Sequence, residues 1–426
     1  MLGILLGLIV LMVLAYIGWS ILWVAPIAAG VVAIFGGLDL LDAYKNTYME
    51  GFVSFAKSWF PVFMLGAIFG KLMEVTGMAR SVALILTKVI GTKRAILGVL
   101  VSAAVLTYGG VSLFVVVFAV YPLAITLFKE ANISRKLIPG TVALGAFTFT
   151  MTALPGTPQI QNLIPMEYFN KSATAAPIMG IIATVVMAGG GYLYLRWREN
   201  MMRKQGEVYT EPEEKVEFNN VDTPNFILSL LPLLTVLFTL NLLKWDIIVA
   251  LLSGIVLIML LNIHRYKLFI DAVNKGALGS VTAIINTSAA VGFGSVVRVV
   301  PGFDKLTELL LGIKGNPLIS EAIAVNILAG ATGSASGGMG IALEALGSKY
   351  YEIALQSGIS PEAFHRIASL ASGGLDTLPH NGAVLTLLTI TGMSHRDSYK
   401  DIFVVSLLLP VISVIIAIVF ASFGIY

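Results

Sequence analysis

No cysteine occurs anywhere in the 426 residues, so neither a disulfide nor a thiolate metal site is available to this fold. Charge is scarce too. Asp, Glu, Lys and Arg make up 12% of the chain, about half of the roughly 25% that a soluble domain carries. The net charge of +3 is small and scattered, which argues against a nucleic-acid partner. No glycine-rich loop ends in the Lys-Ser/Thr pair that cradles nucleotide phosphates, so ATP is not the direct energy source. Of the histidines, His264, His365 and His395 fall in expected loops without metal-ligand spacing. No cofactor and no metal site is expected, and no constellation reads as an enzyme's.

What fills the chain instead is apolar. Hydrophobic residues account for 57% of it and the mean hydropathy is +0.89. Leu2–Gly18, Ile21–Gly37, Phe226–Leu243 and Ile402–Gly424 are almost uncharged runs close to the ~20 residues that cross a bilayer as a helix. The first run lacks a basic leader and ends at Trp19 rather than at a small-residue cleavage site, so it reads as a retained span. The expected fold class is an all-α polytopic membrane protein.

One stretch stands apart, "RWRENMMRKQGEVYTEPEEKVEFNNVDTPN" from Arg196 to Asn225. It is charged and without apolar periodicity, and it reads as a solvated cytoplasmic linker over 197–224 between membrane halves 1–196 and 225–426. The halves look related. A shift of 224 residues lays Phe69-Gly70 on Phe293-Gly294, Gly109 and Ser112 on Gly333 and Ser336, and Leu154-Pro155 on Leu378-Pro379.

Each half is expected to hold five spans, at about 2–18, 21–37, 58–76, 138–165 and 174–196, then 225–243, 245–263, 281–298, 362–392 and 401–424. A re-entrant hairpin is expected in each as well, at about 94–128 and 319–346. An odd span count turns the second half upside down. Lysine and arginine should then collect on the inner side. With the N-terminus outside, the inner segments hold Arg80, Lys88, Lys93, Arg94, Lys129, Arg135 and Lys136, the linker's Arg196, Arg198, Arg203 and Lys204, and then Arg265, Lys267, Lys275, Arg396 and Lys400. The outer loops hold fewer: Lys305, Lys314, Lys349 and Arg366.

Four motifs interrupt these spans. "TYGGVS" and "GATGSASGGMG" set glycines around serines, "ALPGTPQIQN" holds two prolines, and "LDTLPHNG" holds one followed by glycine. Each proline deletes a helix hydrogen bond and clashes with the turn before it. A helix broken within lipid survives only inside protein or against a wet cavity. Its half-helix N-termini then offer amides to an anion, and its free carbonyls can hold a cation. Broken helices at matched positions of two halves point to a transporter's binding site near the midplane.

The expected substrate-binding residues are therefore Gly109, Gly110, Ser112, Thr157, Gln159 and Asn162 in the first half, with Gln161 beside them. In the second half they are Ser334, Ser336, Thr377 and Asn381. Asp376 and His380 are the titratable pair, counterparts of Thr152 and Gly156, and intramembrane Asp and His mark proton or ion paths. The bland alternative for the serines is close helix packing, and for Asp376–His380 a tie across the break. Glu74, expected at the interface beside Lys71, and Glu344, expected to cap a helix end, are weaker candidates.

"FGKLMEVTGMARSVA", "GGVSLFVVVFAVYPLA", "ALPGTPQIQN" and "LASGGLDTLPHNGAVLTLL" resemble the bacterial gluconate permease family of the ion-transporter superfamily. The resemblance runs through both halves, and "GGLDTLPHNG" looks closer to the hydroxybutyrate-type branch. It implies proton-coupled uptake of small hydroxy-monocarboxylates across the inner membrane, gluconate, 3-hydroxybutyrate or D-serine among them, through a site made by interrupted helices. The expected partners are a small organic anion, a co-transported H+ (or Na+) and the bilayer. A homodimer is compatible with the sequence. The alternatives are a sodium-coupled di- or tricarboxylate carrier, which would want more cationic anchors than the broken helices offer, a channel, and an intramembrane enzyme.

Overall fold

The structure is a computed structural model that describes residues 2–212, 223–311, 316–379 and 381–426. Lys314, His380 and residues 213–222 of the expected linker lie outside them. Among the described residues every regular element is helical, as uncharged segments in lipid require, because a helix satisfies its backbone internally.

The chain begins with α1 (Leu2–Tyr16), α2 (Ile21–Gly36), α3 (Leu40–Val75) and α4 (Met78–Ile90). α5 (Ala95–Tyr108) and α6 (Leu113–Glu130) form the first hairpin. The first broken helix is α7 (Ile138–Ala146), α8 (Phe149–Thr152) and α9 (Ile160–Phe169), and α10 (Pro177–Lys204) follows.

Beyond residue 222 come α11 (Phe226–Asn241), α12 (Ile247–Leu261), α13 (Lys267–Val299) and α14 (Gly302–Leu311). α15 (Pro317–Thr332) and α16 (Ala335–Ser357) form the second hairpin. α17 (Pro361–Ser372) and α18 (Gly382–Thr391) flank the second break, and α19 (His395–Ser422) closes the described chain.

Helix starts follow from local chemistry. Ser20, Asn225, Asp246, Asn316, Ser360 and Ser394 each accept a bond from a first-turn amide of the helix they open, the preferred use of those side chains. Isolated Pro26, Pro61, Pro122 and Pro232 sit inside continuous helices. The prolines of the two Pro/Gly motifs coincide with real interruptions.

Length and composition let α3, α10, α13 and α19 cross a membrane, and α5 meets α4 at a bend of 99°. The spans expected from 58 and 281 begin earlier, at Leu40 and Lys267. A hydropathy threshold finds only the apolar part of a helix whose first turns are polar. The stretch with Arg80 and Lys88, read as a loop, is α4, which buries Met78, Ala79, Val82 and Ala83 and exposes Lys88.

The long helices α3 and α13 cross with backbones in contact. A Cβ on Gly276 would lie 2.7 Å from Ile68 Cα, so a small residue permits the approach. α10 and α19 are clamped by charge: Asp401 accepts from Arg198 Nε at 2.8 Å and from Tyr194 OH at 2.8 Å, and its side chain is 1% exposed. Lys129–Glu211 and Lys136–Glu207 (3.3 Å) link the described start of the linker region to the last turn of α6 and the loop after it.

Removing one partner of a buried pair strands the other. Asp401→Ala should cost roughly 3–5 kcal/mol, read as a lower denaturant midpoint in detergent. The double change Arg198→Met, Asp401→Leu should recover most of that loss. A single variant as stable as the parent would mean that the clamp contributes little.

Candidate functional site

The first hairpin and the first break meet. Gly110, at φ +94, turns the chain between α5 and α6, and Ser112 stands at the N-cap of α6 in extended conformation. Its hydroxyl makes no capping bond, so it and the unpaired first-turn amides are left for something else. Two bonds fasten the hairpin to the break: Gln159 Nε2 donates to Thr107 O at 2.6 Å and Tyr108 OH to Pro155 O at 2.9 Å.

Gly110, Ser112 and Gln159 line a cavity of about 430 Å³ against α3 and α13, within the ~300–1,000 Å³ of small-molecule sites. Gly109 packs beside it, tight against Leu233. Lys71, Glu74 and Lys275 share that lining. Lys71 Nζ lies 2.7 Å from Glu74 Oε1, both about a third exposed. Glu74, beside Lys71 as expected, thus faces the cavity. Cationic groups are also present where the broken-helix motifs alone offered none. Spacing within the motifs could not reveal them, because α3 and α13 bring them from elsewhere.

Two expected residues turn away. Thr157 donates to Thr150 O at 2.7 Å within the break. Asn162 is fully buried and donates to Thr157 O at 3.0 Å and Ala173 O at 2.8 Å. Asn162 Oδ1 accepts from Arg366 Nη1 at 2.9 Å.

Arg366 is the site's largest departure from sequence expectation. Read as an outer-loop residue, it lies on α17, fully buried, and donates through Nε and Nη2 to Ala175 O at 3.1 and 2.7 Å. Further donations reach Thr152 O and Ala173 O at 3.4 Å. Ser369 Oγ adds a bond to Thr152 O at 2.8 Å. The guanidinium of the second broken helix therefore ties the carbonyl of Thr152 at the first break to those of Ala173 and Ala175 in the loop after α9, a task for a planar fork of donors. His365, also read as a loop residue, is buried beside it with Nε2 3.3 Å from Asn162 Oδ1. The available signal was the pair His365-Arg366 inside an otherwise weakly polar run.

The second locus repeats the hairpin-to-break tie. Asn381 caps α18 through Ala383 N and Val384 N, at 2.6 and 2.9 Å, and donates to Gly333 O at the hairpin turn, 2.8 Å. Ser334 caps α16 through Gly337 N at 3.1 Å, and Ser336 Oγ lies 3.4 Å from Thr287 Oγ1. Thr377 donates to Gly374 O and Ser406 O. Asp376, 4% exposed, accepts from Gly374 N at 2.7 Å; its expected partner His380 lies outside the described residues. His395, read as a loop residue, opens α19 and sets Nε2 2.9 Å from Pro379 O. Glu344 caps no helix: it lies within α16 and pairs with Arg298 at 3.1 Å.

Buried polar atoms left without a partner include Thr107 Oγ1 and Gln161 Oε1 at the first break and Ser288 Oγ beside Thr287. Native interiors leave few such atoms, and two of these stand beside the first hairpin and break.

A family model described as GntP family permease matches residues 1–243. The uncharacterized transporter YxjC of Bacillus subtilis (strain 168) is 42% identical over 99% of this chain and 98% of its own length. An uncharacterized permease of Haemophilus influenzae is 29% identical over 49% of this chain and 43% of its own. The crystal structure of the Alcanivorax borkumensis YdaH transporter, described as having an unusual topology, matches with a TM-score of 0.59 and 17% identity, over 91% of this chain and 90% of that one. The last likeness is one of fold.

Arg366→Lys keeps the charge but replaces the fork with a point donor. It should lose at least one charge-assisted bond, about 1.5–3 kcal/mol, and Arg366→Met should lose more. Melting curves of purified protein check this, and a Lys variant as stable as the parent would refute the fork's role.

Proposed function

The chain belongs to the GntP permease family and is a membrane transporter, and on that premise we propose that it is a secondary active, proton-coupled symporter for small hydroxy-monocarboxylates, gluconate and 3-hydroxybutyrate first among them. The observation that carries the proposal is the cavity where Ser112, Gln159 and Lys71 meet. Lys71 and the amides at the start of α6 supply positive potential for a carboxylate. The Ser112 hydroxyl and the unused oxygen of Gln159 suit the substrate's hydroxyls. Glu74 holds Lys71 until the anion arrives.

Coupling is assigned to Asp376 with His380. A lone anion entering a negative-inside cell works against about 2.3 kcal/mol per 100 mV, so a cation must accompany it. Asp376 sits where the second break frees carbonyls, and Ser336, Thr377 and Asn381 surround that break as the second half of the site. Thr157 and Asn162 hold the first half in shape. The two halves are taken as inverted repeats in the inner membrane, joined by the cytoplasmic linker. The repeat itself is supported by the ends of α3 and α13, Val75 and Val299, and of α5 and α15, Tyr108 and Thr332, which fall at the same 224-residue offset as the motifs.

A second reading, a sodium-coupled di- or tricarboxylate carrier, draws on the second cation, Lys275. Each lysine, however, pairs with an acid on its own helix, Glu74 at 2.7 Å and Asp271 at 2.9 Å. A cavity neutralised in this way suits a monoanion better.

Proteoliposomes should accumulate gluconate or 3-hydroxybutyrate under an imposed proton gradient and show counterflow, which a channel would not. Citrate uptake driven by sodium would instead favour the second reading. Ser112→Ala should weaken affinity roughly ten- to a hundred-fold, the loss of one charge-assisted bond, and Lys71→Ala at least as much. Thr157→Ala, which removes a bond inside the break and no cavity contact, should lower stability more than affinity. Asp376→Asn should abolish proton-driven accumulation and spare exchange; accumulation that persists removes Asp376 from coupling. Because the chain has no cysteine, single cysteines at Gln205 and Lys349 can be labelled cleanly. Reaction from opposite faces is expected, and reaction from one face would overturn the inverted arrangement.

A further inference from the structure

Four described carboxylates are buried: Glu199, Glu321, Asp376 and Asp401. Three are held. Glu199 pairs with Arg196 and Arg203, Asp401 with Arg198, and Asp376 accepts from Gly374 N. Glu321, on α15 near its start, is 0% exposed and neither of its oxygens has a partner.

Among the described residues, the elements packed on α15 offer it no cation. On α16 the nearest titratable group is Tyr350, whose hydroxyl is 3.1 Å from Ser320 Oγ. On α17, Arg366 and the Nε2 of His365 are turned to Asn162 and the first break. Asp376, in the turn after α17, points to Gly374. Residues 2–14 of α1 and the packed end of α19 carry no ionisable side chain, and Asp304, Lys305 and Glu308 on α14 are exposed. A carboxylate in such a place would be a bare charge in a low-dielectric interior, so the group must hold its proton.

A buried acid with no bonds contributes nothing to stability that glutamine would not. Its place on the arm of a hairpin suggests a use. α15 turns into α16 at Gly333, φ +60, and the two arms touch backbone to backbone, since a Cβ on Gly338 would lie 2.1 Å from Ala329 N. Movement of that hairpin would bring Glu321 to water.

We infer that Glu321 is a proton-carrying site of the transport cycle, separate from Asp376. Its O–H bond holds the proton in the conformation described here. When the second hairpin opens, the proton passes to water and the carboxylate is left solvated; closing requires a new proton. The inference rests on the symport reading, and with Asp376 it makes two protons per anion, so that uptake of a monoanion moves net positive charge inward.

Full-length protein in lipid vesicles tests it in two ways. Infrared spectra at neutral pH should show a protonated-carboxyl stretch that Glu321→Gln removes and Glu321→Asp shifts, with the glutamine variant at least as stable as the parent. Reversal potentials measured with gluconate or 3-hydroxybutyrate should give two protons per anion in the parent and one in Glu321→Gln. A carboxyl band unchanged by Glu321→Gln, or an unchanged proton count, overturns the inference while leaving symport intact. Absence of proton-driven uptake in the parent fails the symport reading, and the coupling role with it; the infrared band then still decides whether Glu321 holds a proton.

Discussion

Backbone that leaves the helix within a bilayer has to find partners inside the protein, and here a carbonyl at the first break and two in the loop after α9 find them in one guanidinium. Arg366 reaches Thr152, Ala173 and Ala175 and, through Asn162, the start of α9. Without those donors the break and the loop after α9 would lose part of their pairing, and the stretch from Ala153 to Gln159, which its two prolines keep from being helix, would have reason to admit water. The cavity beside Ser112 would then lose the wall that Pro158 and Gln159 supply. The cavity wall after the first break is thus braced by a side chain 191 residues from Ala175 and 214 from Thr152 along the chain. A change in α17 is felt at the first break directly, with no intervening element.

Both hairpins are tied to their breaks by amide side chains, Gln159 to Thr107 O in one half and Asn381 to Gly333 O in the other. In each case a residue just after the interruption binds a carbonyl at or near the hairpin turn. Such a tie makes hairpin and break one unit, so that neither moves alone. The two loci differ in chemistry. The first presents a lysine, a serine and open amides to a cavity, whereas the second buries an acid.

The interruptions were legible because proline and clustered glycine act locally: their effect on a helix does not depend on what surrounds it. Pro155 and Pro379 therefore marked the breaks, and the Gly/Ser runs marked the hairpin turns. Arg366 and His365 were misplaced for the converse reason. A charge lowers local hydropathy whether it is solvated or spent on buried carbonyls, and only tertiary structure separates the cases. Asn162 was found as polar and buried, but its partner 204 positions away could not be read from spacing, so its place in the core was missed. Lys71 and Glu74 sit one turn apart on α3; which side of that helix meets the cavity depends on α13, which no local pattern encodes. Glu321 left no signal beyond a single acid near a helix start, where acids commonly face water.

The Lys71–Glu74 pair has an electrical consequence. An empty carrier must return across the membrane field with whatever charge its cavity holds. A bare lysine there would be pulled by the potential on every return stroke, at about 2.3 kcal/mol per 100 mV for a full traversal. Paired at 2.7 Å, the two residues cancel, and their return does no electrical work. Voltage then acts on the loaded stroke and on the acids elsewhere in the protein, so a lysine placed to attract the proposed anion need not slow the empty carrier's recovery.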